Sequence, residues 1–290
     1  PLAMAFFGGA RGGGKSDGVL GKWAIKEAQY GADFNAVMFR RTTVSSEDAI
    51  ERSKQIYGPL GGSFVGSPQP TWRMPNGGRV SFRYLDRESD ADEYQGRNFT
   101  DVWVEEAGQY PSPKPIDKMF GALRSAAGTP VQMILTGNPG GPGQGWIRDR
   151  FQLFPFPARP KIITATINGA TIQAAVIPSR ISDNKILLAQ DPGYENRLRM
   201  VGSQQLVRAW LEGDWSAVEG AFFNEWDEGK HVIPWFEPPK DWLRFRSGDW
   251  GFAAPFSIGW WAVVQDDFTY QGRTLPRGAL VRYREWYGAE

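Results

Sequence analysis

The sequence of 290 residues has no cysteine and a single histidine. Without cysteine there are no disulfides, no thiolate catalysis and no cysteine zinc sites, a composition that suits a reducing cytosol. One histidine cannot build a histidine-rich metal site, and a Ser–His–Asp triad would depend on His231 alone. That residue sits in Lys230-His231-Val232-Ile233-Pro234, which reads as a solvent-exposed linker. Neither sign of charge is in excess: 33 Lys and Arg face 32 Asp and Glu, a formal net charge of +1. Nucleic acid would have to meet a local patch, not a whole-protein field. No apolar run reaches the roughly 20 residues of a membrane helix; the stretch 256–264 falls well short. The chain opens on Pro1, inside a strand-like run, with no Met and no basic segment. Nothing there reads as a signal peptide, and the expectation is that the natural N-terminus is missing. Internal repeats, low-complexity tracts and blocks of Lys or Arg are also lacking. What is there, 41% hydrophobic and 22% charged, can fill one large or two ordinary domains.

The most informative stretch is Phe6-Phe7-Gly8-Gly9-Ala10-Arg11-Gly12-Gly13-Gly14-Lys15-Ser16. From Gly9 to Ser16 it spells G-x-x-x-x-G-K-S, the phosphate-binding loop of P-loop nucleotidases. Glycines let the backbone turn tightly and bring N–H groups up to phosphate oxygens. Lys15 would set a point charge against the β- and γ-phosphates, and the Ser16 hydroxyl would ligate Mg²⁺. The apolar run Leu2-Ala3-Met4-Ala5-Phe6-Phe7 reads as the strand feeding the loop. Residues 17–30 read as the helix after it, with Val19, Leu20, Trp23 and Ala24 on one face. Such a helix points the positive end of its dipole at the bound anion.

Downstream, Ala36-Val37-Met38-Phe39 reads as a second buried strand, followed by Arg40-Arg41-Thr42, with Ser45 and Ser46 as caps of a helix to about Tyr57. The segments 71–74 and 79–84 flank Pro75-Asn76-Gly77-Gly78, a strong hairpin signal. Then Phe99-Thr100-Asp101-Val102-Trp103-Val104-Glu105-Glu106-Ala107 leads an apolar strand to two acids, the Walker B pattern. Glu105 would hold the Mg²⁺ shell, and Glu106 would orient and polarise the attacking water. The usual first residue is Asp, so Glu105 is a departure. A helix is read at 115–125 and a strand at 131–135, which runs into Thr136-Gly137-Asn138-Pro139-Gly140-Gly141. Thr136 and Asn138, at a strand's C-terminal end, stand where open α/β sheets bind ligands and are candidate γ-phosphate sensors. The alternative is an ordinary Asn-Pro turn.

Strands are read at 161–165 and 174–177, and helices at 184–190 and 194–211, together forming a small lid. Residues 220–239 read as interdomain linker. Leu243-Arg244-Phe245-Arg246-Ser247-Gly248-Asp249 is a strand ending on an acid, and 256–264 is a second apolar strand.

Taken in order, the glycine-rich loop, Tyr94-Gln95-Gly96-Arg97, Trp103-Val104-Glu105-Glu106-Ala107, Leu123-Arg124-Ser125 and Thr136-Gly137-Asn138-Pro139-Gly140-Gly141-Pro142-Gly143 resemble the large terminase subunit of tailed bacteriophages. That protein is the motor that pumps DNA into empty capsids. Ile181-Ser182-Asp183-Asn184 and Leu211-Glu212-Gly213-Asp214-Trp215 are similar to its segment between ATPase and nuclease. The resemblance implies a P-loop α/β ATPase with a mostly parallel sheet at 1–160 and a lid or linker subdomain at 161–219. It implies a linker at 220–240 and the start of an RNase H-like nuclease at 241–290. It implies ATP with Mg²⁺, and double-stranded DNA gripped through its phosphates, because a pump must move any sequence. The portal protein, the small terminase subunit and a homo-oligomeric ring on the portal follow as partners, in the host bacterial cytoplasm and without a membrane. Arg11 is then a finger in cis or a nucleotide sensor, Arg97 a finger reaching a neighbouring subunit, and Arg124 the reserve. Asp249 becomes the first metal carboxylate of a nuclease using Mg²⁺ or Mn²⁺. The later acids lie beyond this chain, so cutting is expected only of the full-length protein. Two other readings remain: a helicase-type DNA-remodelling ATPase, and a non-catalytic DNA-binding or docking module.

Overall fold

The computed structural model describes residues 2–42, 46–154, 156–200, 204–215, 228–250 and 256–288. The chain divides into two compact units, Pro1–Asn224 and Glu225–Glu290.

In the first unit, nine strands form one sheet: β1 (Met4–Gly9), β2 (Asn35–Arg40), β3 (Ser63–Val65), β4 (Thr71–Arg73), β5 (Arg79–Tyr84), β6 (Asp101–Val104), β7 (Gln132–Gly137), β8 (Lys161–Ile167) and β9 (Ala170–Ser179). Their order is β3-β4-β5-β2-β6-β7-β1-β9-β8. The six strands from β5 to β9 in that order run parallel to their neighbours. Strands β3, β4 and β8 are antiparallel additions at the two edges. Central parallel strands are covered on both faces, which is why β1, β2, β6 and β7 read as continuous apolar runs.

Alternate residues of those strands feed two cores. Phe6, Val37, Phe39, Val102, Val104 and Leu135 pack on one face. Ala36, Met38, Trp103 and Ile134 pack on the other, against Val19, Leu20 and Trp23 of helix α1 (Lys15–Tyr30) and Ala49 and Tyr57 of α2 (Glu47–Tyr57). Trp23 meets Trp103 edge-on at 5.6 Å. Each such fully buried aromatic contributes on the order of 1.5–3 kcal/mol. The β4–β5 hairpin turns at Gly77, whose φ is +93°, as the Asn-Gly signal required. Buried Glu27 of α1 accepts from the Asn76 amide N–H (2.8 Å) and Nδ2 (3.2 Å), tying that turn to the helix.

On the first core's side lie α3 (Glu88–Asp92), α4 (Lys114–Lys118) and α5 (Gln144–Arg150). The helix read at 115–125 is shorter than expected: it passes into a 3-10 turn, Met119–Ala122. A buried ion pair, Arg150 Nη1 to Asp117 at 2.7 Å, joins α5 to α4. Ser46 precedes α2 but makes no side-chain cap, and Ser45 lies outside the described residues.

The strands assigned to a lid differ from expectation. β8 and β9 belong to the main sheet, where β9 pairs in parallel with β1 from Met4↔Ala174 to Gly9↔Ser179. Ile163, Ala165, Ala174 and Val176 are buried in the first core, so one face of the pair needs that sheet. Three helices follow: α6 (Lys185–Gln190), close to the helix expected at 184–190, and α7 (Tyr194–Arg199) and α8 (Gln204–Glu212) in place of the single helix expected at 194–211. Of the linker read at 220–240, residues 220–227 lie outside the described residues.

The second unit begins with the short α9 (Glu228–His231), which ends on exposed His231. Strands β10 (Leu243–Asp249), β11 (Phe256–Val263) and β14 (Leu280–Gly288) form an antiparallel sheet, and β12 (Phe268–Tyr270) and β13 (Arg273–Leu275) form a hairpin. Trp242, Ala262 and Val264 make its core with Phe236 and Phe268. Among the described residues of the chain, no helix is long and apolar enough to cross a membrane.

Candidate nucleotide-binding site

The site forms where β1, β6 and β7 end. Leaving β1, the chain turns through Gly9 (φ +136°), Gly12 (+70°) and Gly14 (+74°) before α1 starts at Lys15. Only glycine suits these positions: a side chain at Gly9 would collide with the Ser179 carbonyl. The loop is pinned from the β9 side. The amides of Ala10 and Arg11 donate to the carbonyls of Ser179 (2.7 Å) and Trp210 (2.8 Å). Gly12, Gly13 and Gly14 of the loop, with Lys15, Ser16 and Asp17 of the first turn of α1, line one side of a cavity of about 380 Å³; the amides of a first helical turn have no partner within the helix.

Lys15 Nζ donates to the Ala10 carbonyl (2.6 Å) and to Asn138 Oδ1 (2.7 Å). Burial pushes its ammonium down to about 8, against the opposing pull of Glu105 and Glu106. A cation desolvated in this way favours an anionic partner. Ser16 Oγ donates to Glu105. Glu105 is only 4% exposed, and its other oxygen accepts from Arg40 Nε at 2.8 Å. Glu106 begins the next turn in the left-handed region (φ 53°, ψ 46°) and is 45% exposed, with Arg40 Nη2 at 3.9 Å. A non-glycine residue there is uncommon, and such positions cluster at functional sites. The turn sets the two neighbouring acids apart: Glu105 faces Ser16, while Glu106 borders the open cavity. A second cavity, about 420 Å³, shares Arg40, Glu105 and Glu106 with the first.

Of the expected sensors, Asn138 reaches Lys15. Thr136 is buried but also lines the cavity, and its Oγ1 accepts from Trp103 Nε1 at 2.9 Å, which leaves the O–H able to donate. Arg11 lays its guanidinium on the Trp210 ring, 3.6 Å from the centroid, beside the cavity. Arg97 is exposed and does not line it. Arg124 donates to Asn98 Oδ1 and the Gly96 carbonyl, so it braces the loop that carries Arg97. Arg40 was not among the expected site residues, because its place beside Glu105 depends on β2 pairing with β6. Asn184, Leu187 and Tyr194 also line the cavity; Asn184 falls in the Ile181-Ser182-Asp183-Asn184 stretch noted in the sequence, while Leu187 and Tyr194 gave no signal of their own.

A serine hydroxyl and a buried carboxylate facing one cavity fit a hard cation. Among the described residues there is no cluster of three or more acids or histidines able to hold a metal. Phosphate oxygens and water would therefore complete the shell, as suits Mg²⁺.

A family model described as phage terminase large subunit matches residues 3–153. The chain belongs to the phage terminase large subunit family. The α/β fold with a large, mostly parallel sheet agrees with solved members of this terminase family. The large terminase of a thermophilic bacteriophage, in complex with ADP, aligns at a TM-score of 0.56 and 15% identity. The match covers 99% of this chain and 63% of that one. The same phage's large terminase in complex with ATP-gamma-S aligns at 0.54 and 16%, covering 99% and 62%. At such identities the likeness is one of fold, and this chain spans about 63% of the length of those terminases. No curated protein matches the chain significantly.

In the second unit, Asp249 closes β10, exposed and paired across to Ser257. Glu285 lies opposite Gly259 on β14. By register the two acids share a face, with β11 between them. Glu285 is engaged by Ser257 Oγ (3.2 Å) and Arg282 (2.8 Å). These residues do not amount to a two-metal site.

Proposed function

We propose that this chain is the ATP-hydrolysing motor of viral DNA packaging, translocating double-stranded DNA into a procapsid. The observation that carries the reading is the convergence of Lys15, Ser16, Glu105, Glu106 and Asn138 on one cavity at the ends of β1, β6 and β7. The glycine loop and the first turn of α1 bind the phosphates, with residues Gly9 to Ser16 as the cradle. Lys15 moves from Asn138 to the β- and γ-phosphates, and Asn138 is freed to report the γ-phosphate to β7. Ser16 and Glu105 would hold Mg²⁺, which would supply positive charge against the phosphoryl oxygens. Glu106 orients the attacking water, and Arg40 keeps the two acids in their separate places. Arg11, seated on Trp210, is the cis cation. Arg97, held out by the Arg124-braced loop, is the finger for a neighbouring subunit, and such a finger is worth roughly 10³–10⁵ in rate.

The wider proposal is a ring of identical subunits on the portal, working with the small terminase subunit in the host cytoplasm. The strand β10, ending on Asp249, is read as the opening of an RNase H-like nuclease that needs Mg²⁺ or Mn²⁺ and acts in the full-length protein. The test is phosphate release by the chain and its Lys15→Ala variant. Hydrolysis lost in a variant that keeps its thermal melt supports the reading. Hydrolysis at an undiminished rate in a folded variant overturns it.

A further inference from the structure

We infer that α6 and α7, the segment after β9, form the base-and-ribose end of the nucleotide site, with Tyr194 and Leu187 as its apolar wall, an inference that rests on the nucleotide reading above. The sheet order sets the direction. β7 and β6 lie on one side of β1, and β9 lies on the other. Glu105, Glu106 and Asn138, which mark the γ-phosphate end, all follow β6 and β7. The opposite end of a nucleotide held by the loop must therefore leave on the β9 side. β9 leads directly into α6 and α7, and the cavity that contains Glu106 and Asn138 is also lined by Asn184, Leu187 and Tyr194.

These helices are seated on the loop itself. Asn184 Nδ2 donates to the Gly12 carbonyl at 2.7 Å, and its Oδ1 caps α6 by accepting from the Leu187 amide at 3.1 Å. A Cβ at Gly12 would come within 2.8 Å of both Leu187 Cδ2 and Tyr194 Cε1. Gly12 is thus the contact point where the phosphate cradle meets the wall. Arg197, paired with Asp191, lies 6.0 Å from the Tyr194 ring centroid. The chemistry of this wall is one aromatic ring, one branched aliphatic chain and one amide whose two ends are already committed. Such a surface recognises a base by its face, through stacking and apolar contact, and leaves the hydrogen-bonding edge unread. The ligand class is a nucleoside triphosphate, with adenine and guanine treated alike by this segment.

The experiment is competition binding on the full chain, with ATP, GTP and inorganic tripolyphosphate displacing a fluorescent nucleotide. Wild type, Tyr194→Ala, Tyr194→Phe and Lys15→Ala are compared. Tyr194→Ala is expected to weaken both purine nucleotides by about ten-fold, the scale of one base–aromatic stack. Tripolyphosphate should change less than about two-fold, because it has no base to stack. Tyr194→Phe keeps the ring and should match wild type. Should the alanine variant unfold, Tyr194→Leu retains packing against Gly12 and should show the same nucleotide-selective loss. An unchanged ATP affinity, an equal loss for tripolyphosphate, or a loss confined to one purine overturns the inference. If Lys15→Ala also leaves every ligand unaffected, the nucleotide reading has failed instead.

Discussion

Arg40→Ala is the most discriminating perturbation of the site, because Arg40 touches both acids and carries no motif of its own. In the wild type its Nε lies 2.8 Å from Glu105 and its Nη2 3.9 Å from Glu106. Arg40 is 14% exposed and Glu105 4%. Removing one member of a buried ion pair costs about 3–5 kcal/mol, because the remaining charge is stranded. Two features lower that figure here. Ser16 still donates to Glu105, and the pair borders two cavities that admit water. A loss of about 2 kcal/mol is expected, a fall in Tm of roughly 4–8 °C for a domain of this size. Mg²⁺ and nucleotide should restore part of it, since the cation again faces Glu105. The turnover rate should fall about 10–100-fold as Glu106 loses its lateral support, less than the roughly 10²–10⁴-fold attributed to a positioned base itself. Arg40→Lys keeps the charge but not the planar fork, so it should rescue stability more than rate. Thermal melts with and without Mg-nucleotide, beside phosphate release, read all of this. A variant that melts within about 1 °C of wild type without nucleotide and hydrolyses at the wild-type rate would refute the role given to Arg40.

Glu106→Gln should trap bound ATP, whereas Glu105→Gln should weaken the Mg²⁺ dependence; if Glu105→Gln blocks chemistry with metal affinity untouched and Glu106→Gln does not, the roles are reversed. Asp101 is fully buried at the start of β6, held by Lys26 and, at 3.6 Å, by Lys22, with burial raising its carboxyl above the usual range. Lys26→Met should therefore cost about 3–5 kcal/mol, and an unchanged urea midpoint would show that this pair does not secure the strand. Plasmid cleavage with Mn²⁺ or Mg²⁺ should be weak for this chain, and robust cutting that Asp249→Ala eliminates would mean that a full metal site is already present.

How much was legible in the sequence follows from how local each constraint is. The strand, glycine loop and helix from Met4 to Tyr30 were readable because every requirement lies within a few residues of the next. So was the β4–β5 hairpin, whose turn needs the positive φ that Gly77 supplies. The acid-tipped β6 was readable because its two carboxylates follow a phosphate-binding loop in the same chain; alone, a strand ending on two acids is most often a solvated strand end. The place of β8 and β9 was not readable. Their alternation fits any half-covered sheet, and the partner that decides is β1, far away in the chain. Arg40 was hidden for the same reason, since its meaning depends on β2 lying beside β6. Arg97 and Arg124 looked equivalent as sequence; only the bonds from Arg124 to Asn98 and Gly96 separate the brace from the residue it leaves exposed.

The site in this form is occupied by its own side chains. Lys15 is taken by Asn138 and the Ala10 carbonyl, Ser16 by Glu105, and Glu105 by Arg40. Each of these partners stands where a phosphate oxygen or a metal ion would serve instead. Nucleotide binding at such a site is an exchange of partners and not a filling of empty valences, so its net affinity must fall well below the sum of the new contacts. The same exchange gives the ligand a means of doing work. Were Lys15 to leave Asn138, the end of β7 would lose its bond to the start of α1. A cation at Glu105 would compete with Arg40 for that carboxylate, with Glu106 as the other acid within Arg40's reach. Bound and free states would then differ in how β2, β6 and β7 are tied together at their C-terminal ends. A motor needs such a difference between two arrangements of the same elements, each stabilised by its own set of bonds.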